Sequence, residues 1–139
     1  MSEAGSFRGA VRSAAMAGLI AVVAGSASCK LGDDAVPFVI TVDSLTAVPG
    51  FLEDGLSLRV RFFGTMGPDK CWMFERTEQS RTLDEFQIRF HGRHVIRDRC
   101  PQSPSLLDYE VQIPPPHNDP FTVTAHQPDG SKLQRVFTR

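Results

Sequence analysis

The chain has 139 residues, 15 basic and 16 acidic side chains and a net charge of −1, a balance that excludes a general nucleic-acid binder, which needs a strongly basic surface. A hydrophobic content of 41%, with ten Phe, excludes a chain that stays disordered for lack of apolar surface to bury.

The amino-terminal segment reads as an export signal. Arg8 and Arg12 precede an apolar stretch from Ala14 to Ala27, and small residues lead into Cys29, the order found in secretory leaders. The apolar run is roughly 11–14 residues long, short of the ~20 that a helix needs to cross a bilayer core, so the segment is expected to be cleaved rather than to span. Residues 1–28 are therefore assigned to a helical signal peptide, 29–36 to a tether and 37–139 to a folded domain. Removing 1–28 takes away Arg8, Arg12 and Glu3, leaving 13 basic and 15 acidic side chains and a net charge near −2. The remaining length, about 110 residues, suits one domain with one core.

Ser26, Ala27, Ser28 and Cys29 resemble the lipobox of bacterial lipoproteins, with Ser26 standing where that family usually has an aliphatic residue. The resemblance implies that Cys29 is diacylated, becomes the new amino terminus and anchors the protein to a membrane. Lys30 after the cysteine, in place of Asp, implies the outer membrane over the inner. Ordinary cleavage at Ser26 or Ser28, leaving Cys29 unmodified, is the alternative. Cysteine arithmetic agrees with lipidation, because three cysteines in an exported chain leave one over once two have paired. With Cys29 acylated, Cys71 and Cys100 are expected to form a disulfide in an oxidising compartment.

Beyond the tether, period-two alternation dominates. Phe38, Ile40 and Val42 form the first candidate strand. Leu56, Leu58, Val60 and Phe62 alternate with Ser57, Arg59 and Arg61 in a second, and Cys71 to Glu75 form a third. Phe86, Ile88 and Phe90 alternate with Gln87, Arg89 and His91. Leu107, Tyr109, Val111 and Ile113 alternate with Asp108, Glu110 and Gln112. Phe121, Val123 and Ala125 give a sixth strand, and Asp129 and Gly130 turn the chain into a last one from Leu133 to Phe137. Pro and Gly interrupt the runs at Pro49 and Gly50, from Gly64 to Pro68, at Gly92, from Pro101 to Pro104 and from Pro114 to Pro116, which places loops or strand edges there. About seven short strands and no helix in the body predict an all-β fold, a single antiparallel sandwich resembling immunoglobulin-like domains. A small antiparallel barrel is the rival architecture. Trp72, next to Cys71, suits a core in which an aromatic ring packs near the disulfide.

Candidate chemistry is sparse. Arg89, Arg93, Arg97 and Arg99, opposed only by Asp98, form a local basic strip suited to bidentate contact with phosphate or carboxylate groups; a solvated hairpin face is the alternative reading. His91 and His94 have the spacing of a metal pair, but residues three apart on a strand point to different faces, so no metal and no cofactor is assigned. No G-x-S-x-G elbow is present, and the adjacent carboxylates Asp33 and Asp34, Glu53 and Asp54, and Asp84 and Glu85 point apart on extended chain. The expectation is a non-enzymatic envelope lipoprotein, a binding or assembly module facing the periplasm or the cell surface. Its expected partners are the membrane through Cys29 and an envelope protein or anionic glycan. The alternative is a small periplasmic metal-binding or hydrolytic protein using His91 and His94.

Overall fold

The computed structural model describes residues 34–139. The signal peptide, Cys29 and most of the tether lie outside the described residues. Eight strands and no helix make up the described chain: β1 (Ala35–Val39), β2 (Thr41–Val48), β3 (Leu58–Gly67), β4 (Trp72–Arg81), β5 (Glu85–Val95), β6 (Ser105–Ile113), β7 (Phe121–His126) and β8 (Lys132–Phe137). They form two sheets, one of β1, β4, β5, β7 and β8 and one ordered β2-β3-β6. The all-β sandwich expected from the alternation is what forms, and it does not close into a barrel.

Strand β5 organises the larger sheet. One of its edges pairs with β4 from Trp72↔His94 to Arg81↔Phe86. The other edge is divided between β1, antiparallel to 91–95, and β7, parallel to 85–88. Among the described residues, that β5–β7 pair is the one parallel pairing. Parallel neighbours need a crossover, and here β6, in the opposite sheet, lies on the path between them.

The two sheets face each other through the apolar half of each alternating strand. Phe62, Phe90 and Phe121 are fully buried, as are Val60 and Val123, and Phe137, Ile88 and Ile113 are nearly so. Burying side chains of this size is worth roughly 1.5–3 kcal/mol each relative to exposure. Phe62 from one sheet meets Phe90 from the other edge to face at 5.3 Å, and Tyr109 packs against Phe90 at 5.4 Å; such pairs add about 0.5–1.5 kcal/mol beyond area burial.

Several elements differ from the sequence expectation: Gly64 to Gly67 continue β3 and Gly92 lies within β5 rather than at loops, and β1 begins at Ala35, inside the expected tether. The run from Phe38 to Val42 is not one strand, because the chain crosses from the larger sheet to the smaller at Ile40, which is fully buried and donates its N–H to Phe90 O at 2.9 Å. Strand β4 continues six residues past Glu75, to Arg81. Its residues are exposed on both faces for most of its length, so no alternation marks it, and ladder pairing with β5 holds it extended. The Asp129–Gly130 turn is present, with Gly130 at φ +85°. Asp129 Oδ1 accepts hydrogen bonds from Ser131 N at 2.9 Å and Oγ at 2.6 Å.

Candidate functional site

The disulfide closes one end of the sandwich. Cys71 and Cys100 are bonded, with their Cα atoms 5.7 Å apart, inside the usual window for unstrained backbone. Cys71 precedes β4 and Cys100 lies in the connection after β5, so the bond staples the 96–104 segment against the turn before β4. The same joint is tied by Lys70 N to Pro101 O at 3.1 Å, Lys70 Nζ to Pro104 O at 2.7 Å and Ser105 Oγ to Asp69 O at 2.9 Å. Asp69 Oδ1 accepts from Cys71 N at 2.9 Å. Trp72 stacks on His94, with centroids 4.1 Å apart and planes 9° from parallel, and meets Phe38 edge to face at 5.0 Å. An aromatic cluster thus sits beside the disulfide.

The four arginines singled out in the sequence fall on two elements. Arg89 and Arg93 lie on the outward face of β5 with His91 between them, whereas Arg97 and Arg99 lie in the stapled connection beyond it. Arg89 is opposed by Glu78 of β4 at 3.9 Å. Glu78 also takes Arg76 Nη1 at 2.9 Å and has His91 Nε2 3.2 Å from its Oε1. Arg76, then His91, hold the Glu78 carboxyl below its ordinary range. Arg76 and Glu78 were not legible as part of this group, because nothing in the sequence carries β4 past Glu75.

His91 and His94 occupy opposite faces of β5. His91 points outward to Glu78, while His94 turns in against Trp72, so the pair does not converge on one ion. His126 Nε2 lies 2.9 Å from Gln87 Oε1. Among the described residues, the one group of three ligand-type side chains within 4.8 Å of one another is Asp69, Cys71 and Cys100, and its two sulfurs are joined to each other. A further polar network covers the outward face of the larger sheet. Thr124 Oγ1 and Gln87 Nε2 each donate to Glu85 at 2.7 Å, and Gln134 Nε2 donates to Thr124 Oγ1 at 3.0 Å. The bond from Thr124, then that from Gln87, lowers the Glu85 carboxyl pKa. Thr124 is fully buried although it sits on an outward face, because its neighbours close over it.

The opposite end holds a cleft that the sequence did not reveal. It has a volume of about 370 Å³ and lies between the β2–β3 loop and the β6–β7 loop, lined by Leu52, Glu53, Asp54, Gly55, Pro115, Pro116, His117 and Arg139. Leu52 is anchored by its N–H to Thr138 O at 2.9 Å, and a turn closes from Leu56 N to Glu53 O at 3.3 Å. Gly55 sits in that turn at φ +75°, a conformation that strains residues bearing a Cβ. Arg81 Nη2 reaches across from β4 to donate to Pro114 O, and to Pro116 O at 2.9 Å, which holds the proline wall in place. His117 is buried, lies edge to face on Phe121 at 4.9 Å, and has Nε2 3.2 Å from Ile113 O. Burial pushes its pKa down, and Arg81 adds to that, against the bond to Ile113.

The architecture defines an all-β sandwich cross-linked by a disulfide. The chain matches no protein family, no curated protein and no solved structure.

Proposed function

We propose that this protein is an exported lipoprotein, anchored through acylated Cys29 to a bacterial envelope membrane, the outer rather than the inner. Its sandwich serves as a non-enzymatic binding or assembly module facing the periplasm or the cell surface. The observation that carries this reading is the Cys71–Cys100 bond. It accounts for two of the three cysteines, matches an oxidising compartment and leaves the cysteine at the end of the signal as the odd one. The separated histidines lend no support to a metal shared by His91 and His94, whereas loops and strand edges of a sandwich are surfaces suited to binding.

Intact mass of the membrane-extracted protein tests it. The expected species begins at Cys29, carries the mass of a diacylglycerol or of three acyl chains, and is two hydrogen atoms lighter than the fully reduced chain. A soluble species with unmodified Cys29, or one that retains the leader, refutes the anchor. Crosslinking in intact envelopes that yields no partner adduct from any face of the sandwich counts against the binding role.

A further inference from the structure

We infer that the cleft between the β2–β3 and β6–β7 loops is a docking site for an extended segment of a partner protein, one that carries a lysine or arginine flanked by apolar residues. The inference rests on the reading of this chain as an anchored binding module, and it assigns the contact surface and the partner's chemistry.

Position is the first argument. The described chain enters the sandwich at Asp34, whose carbonyl accepts from Ile96 N at 2.8 Å, so the entry point lies at the Val95 end of β5. The cleft lies beyond the other end of that strand, where β4 and β5 join and β7 begins. Eleven residues of β5 separate the two ends by roughly 35 Å at the strand rise.

Apolar surface is the second. Phe51 and Leu56, the chain neighbours of Leu52 and Gly55 in the lining, are each at least half exposed. Single exposed apolar side chains are ordinary, but two on one short loop beside a concavity fit an interaction surface.

The chemistry of the lining is the third. Glu53 and Asp54 offer only acceptors. A carbonyl also only accepts, so His117 Nε2 must carry the proton in its contact with Ile113 O, and in the neutral ring the other nitrogen is then an acceptor. With Leu52, Pro115 and Pro116 as the apolar wall, the cleft sets two carboxylates and the His117 acceptor against one cation, Arg139, which already lies on Asp54. A long aliphatic stem ending in a cationic donor complements both features.

The chain supplies its own example of this contact. Arg139 Nε lies 3.0 Å from Asp54 Oδ1, with both side chains more than half exposed, a surface pair of the kind that contributes little and exchanges readily. A partner's guanidinium replaces it at small cost.

The test is an NMR titration of the mature protein in detergent with three capped tripeptides: Leu-Arg-Leu, its neutral citrulline analogue and Leu-Glu-Leu. The arginine peptide is expected to shift the Leu52, Gly55 and His117 resonances and to bind at least tenfold more tightly than the citrulline peptide, with the glutamate peptide not binding. The double variant E53Q/D54N should bring the arginine and citrulline peptides within about twofold of each other. Arg139→Ala should strengthen arginine binding several-fold by removing the internal competitor. Equal affinities for the three peptides, or shifts confined to residues outside the cleft, overturn the inference. Because the titration does not depend on acylation, an unmodified Cys29 in the mass measurement removes the anchor reading without touching this result.

Discussion

Replacing Gly67 by Ala probes the aromatic cluster beside the disulfide directly. A Cβ built on Gly67 falls well under 3.0 Å from Cγ, Cδ1 and Cδ2 of Trp72, a separation that packed atoms do not tolerate. The indole is partly buried and constrained on two sides. It is stacked on His94 at 4.1 Å and held against Phe38 at 5.0 Å, and its backbone follows the disulfide-bonded Cys71. Forcing an extra carbon into such a site costs about 1–3 kcal/mol, and breaking the ring stack adds about 0.5–1.5 kcal/mol. Against this, Gly→Ala stiffens the unfolded chain and returns about 0.4–1 kcal/mol where the backbone is compatible; Gly67 is not at positive φ. The net expectation is a loss of about 2 kcal/mol, which lowers the urea midpoint by about 1 M for an m-value near 1.5 kcal/mol/M. Trp72 is the chain's single tryptophan, so its fluorescence reports both the unfolding curve and the ring's own environment, and the variant's native emission should move to longer wavelength. Gly50→Ala is the control, since a Cβ there meets nothing within 4 Å. A Gly67→Ala protein within 0.5 kcal/mol of the parent, with unchanged emission, refutes the placement of the indole over Gly67.

Further outcomes follow from the same structure. Replacing Cys71 and Cys100 together by Ser should cost about 3–4 kcal/mol, the chain-entropy value for a loop of about 30 residues, read as a shift of the urea midpoint that reductant reproduces in the parent. Thr124→Val removes a buried hydroxyl that donates to Glu85 and accepts from Gln134 and should cost about 1–2 kcal/mol by the same assay; a stability equal to the parent's shows that the outward network contributes nothing. Burial holds the His117 imidazole below its ordinary value, with Arg81 adding to the effect. As the pH falls below about 6.5 the unfolded chain therefore takes up a proton that the folded chain refuses, and stability drops. Above that pH both states are neutral at this residue and it contributes no slope. His117→Phe should lessen the decline in urea midpoint between pH 7.5 and 5.5, and an identical decline in parent and variant contradicts the assignment.

Much of this fold is legible in the alternation of individual segments. Phe86, Ile88 and Phe90, and Leu107 and Ile113, lie buried where the period-two pattern puts them, because a strand with one face on a core must alternate. The Cys71–Cys100 pair was expected from the export reading and the odd cysteine count, and the two are bonded. What the pattern did not carry was β4 beyond Glu75, since an edge strand exposed on both faces has no reason to alternate. The break at Ile40 was also hidden, because a buried residue at a sheet crossing looks the same as one inside a strand.

Local chemistry, written in neighbouring residues, decided the strands and the turn at Gly130. Only the tertiary structure decided which side chains share a surface. Arg89 meets Glu78 through a β4–β5 ladder whose polar half leaves no mark in the chain, and Arg93 and Arg97, four positions apart, lie on a strand and beyond its end. The cleft joins Leu52, Pro116 and Arg139, residues separated by up to 87 positions. Burial pattern is a property of each strand's own face, so sequence records it, whereas proximity between loops depends on how the sheets are ordered and stacked, which no single segment encodes.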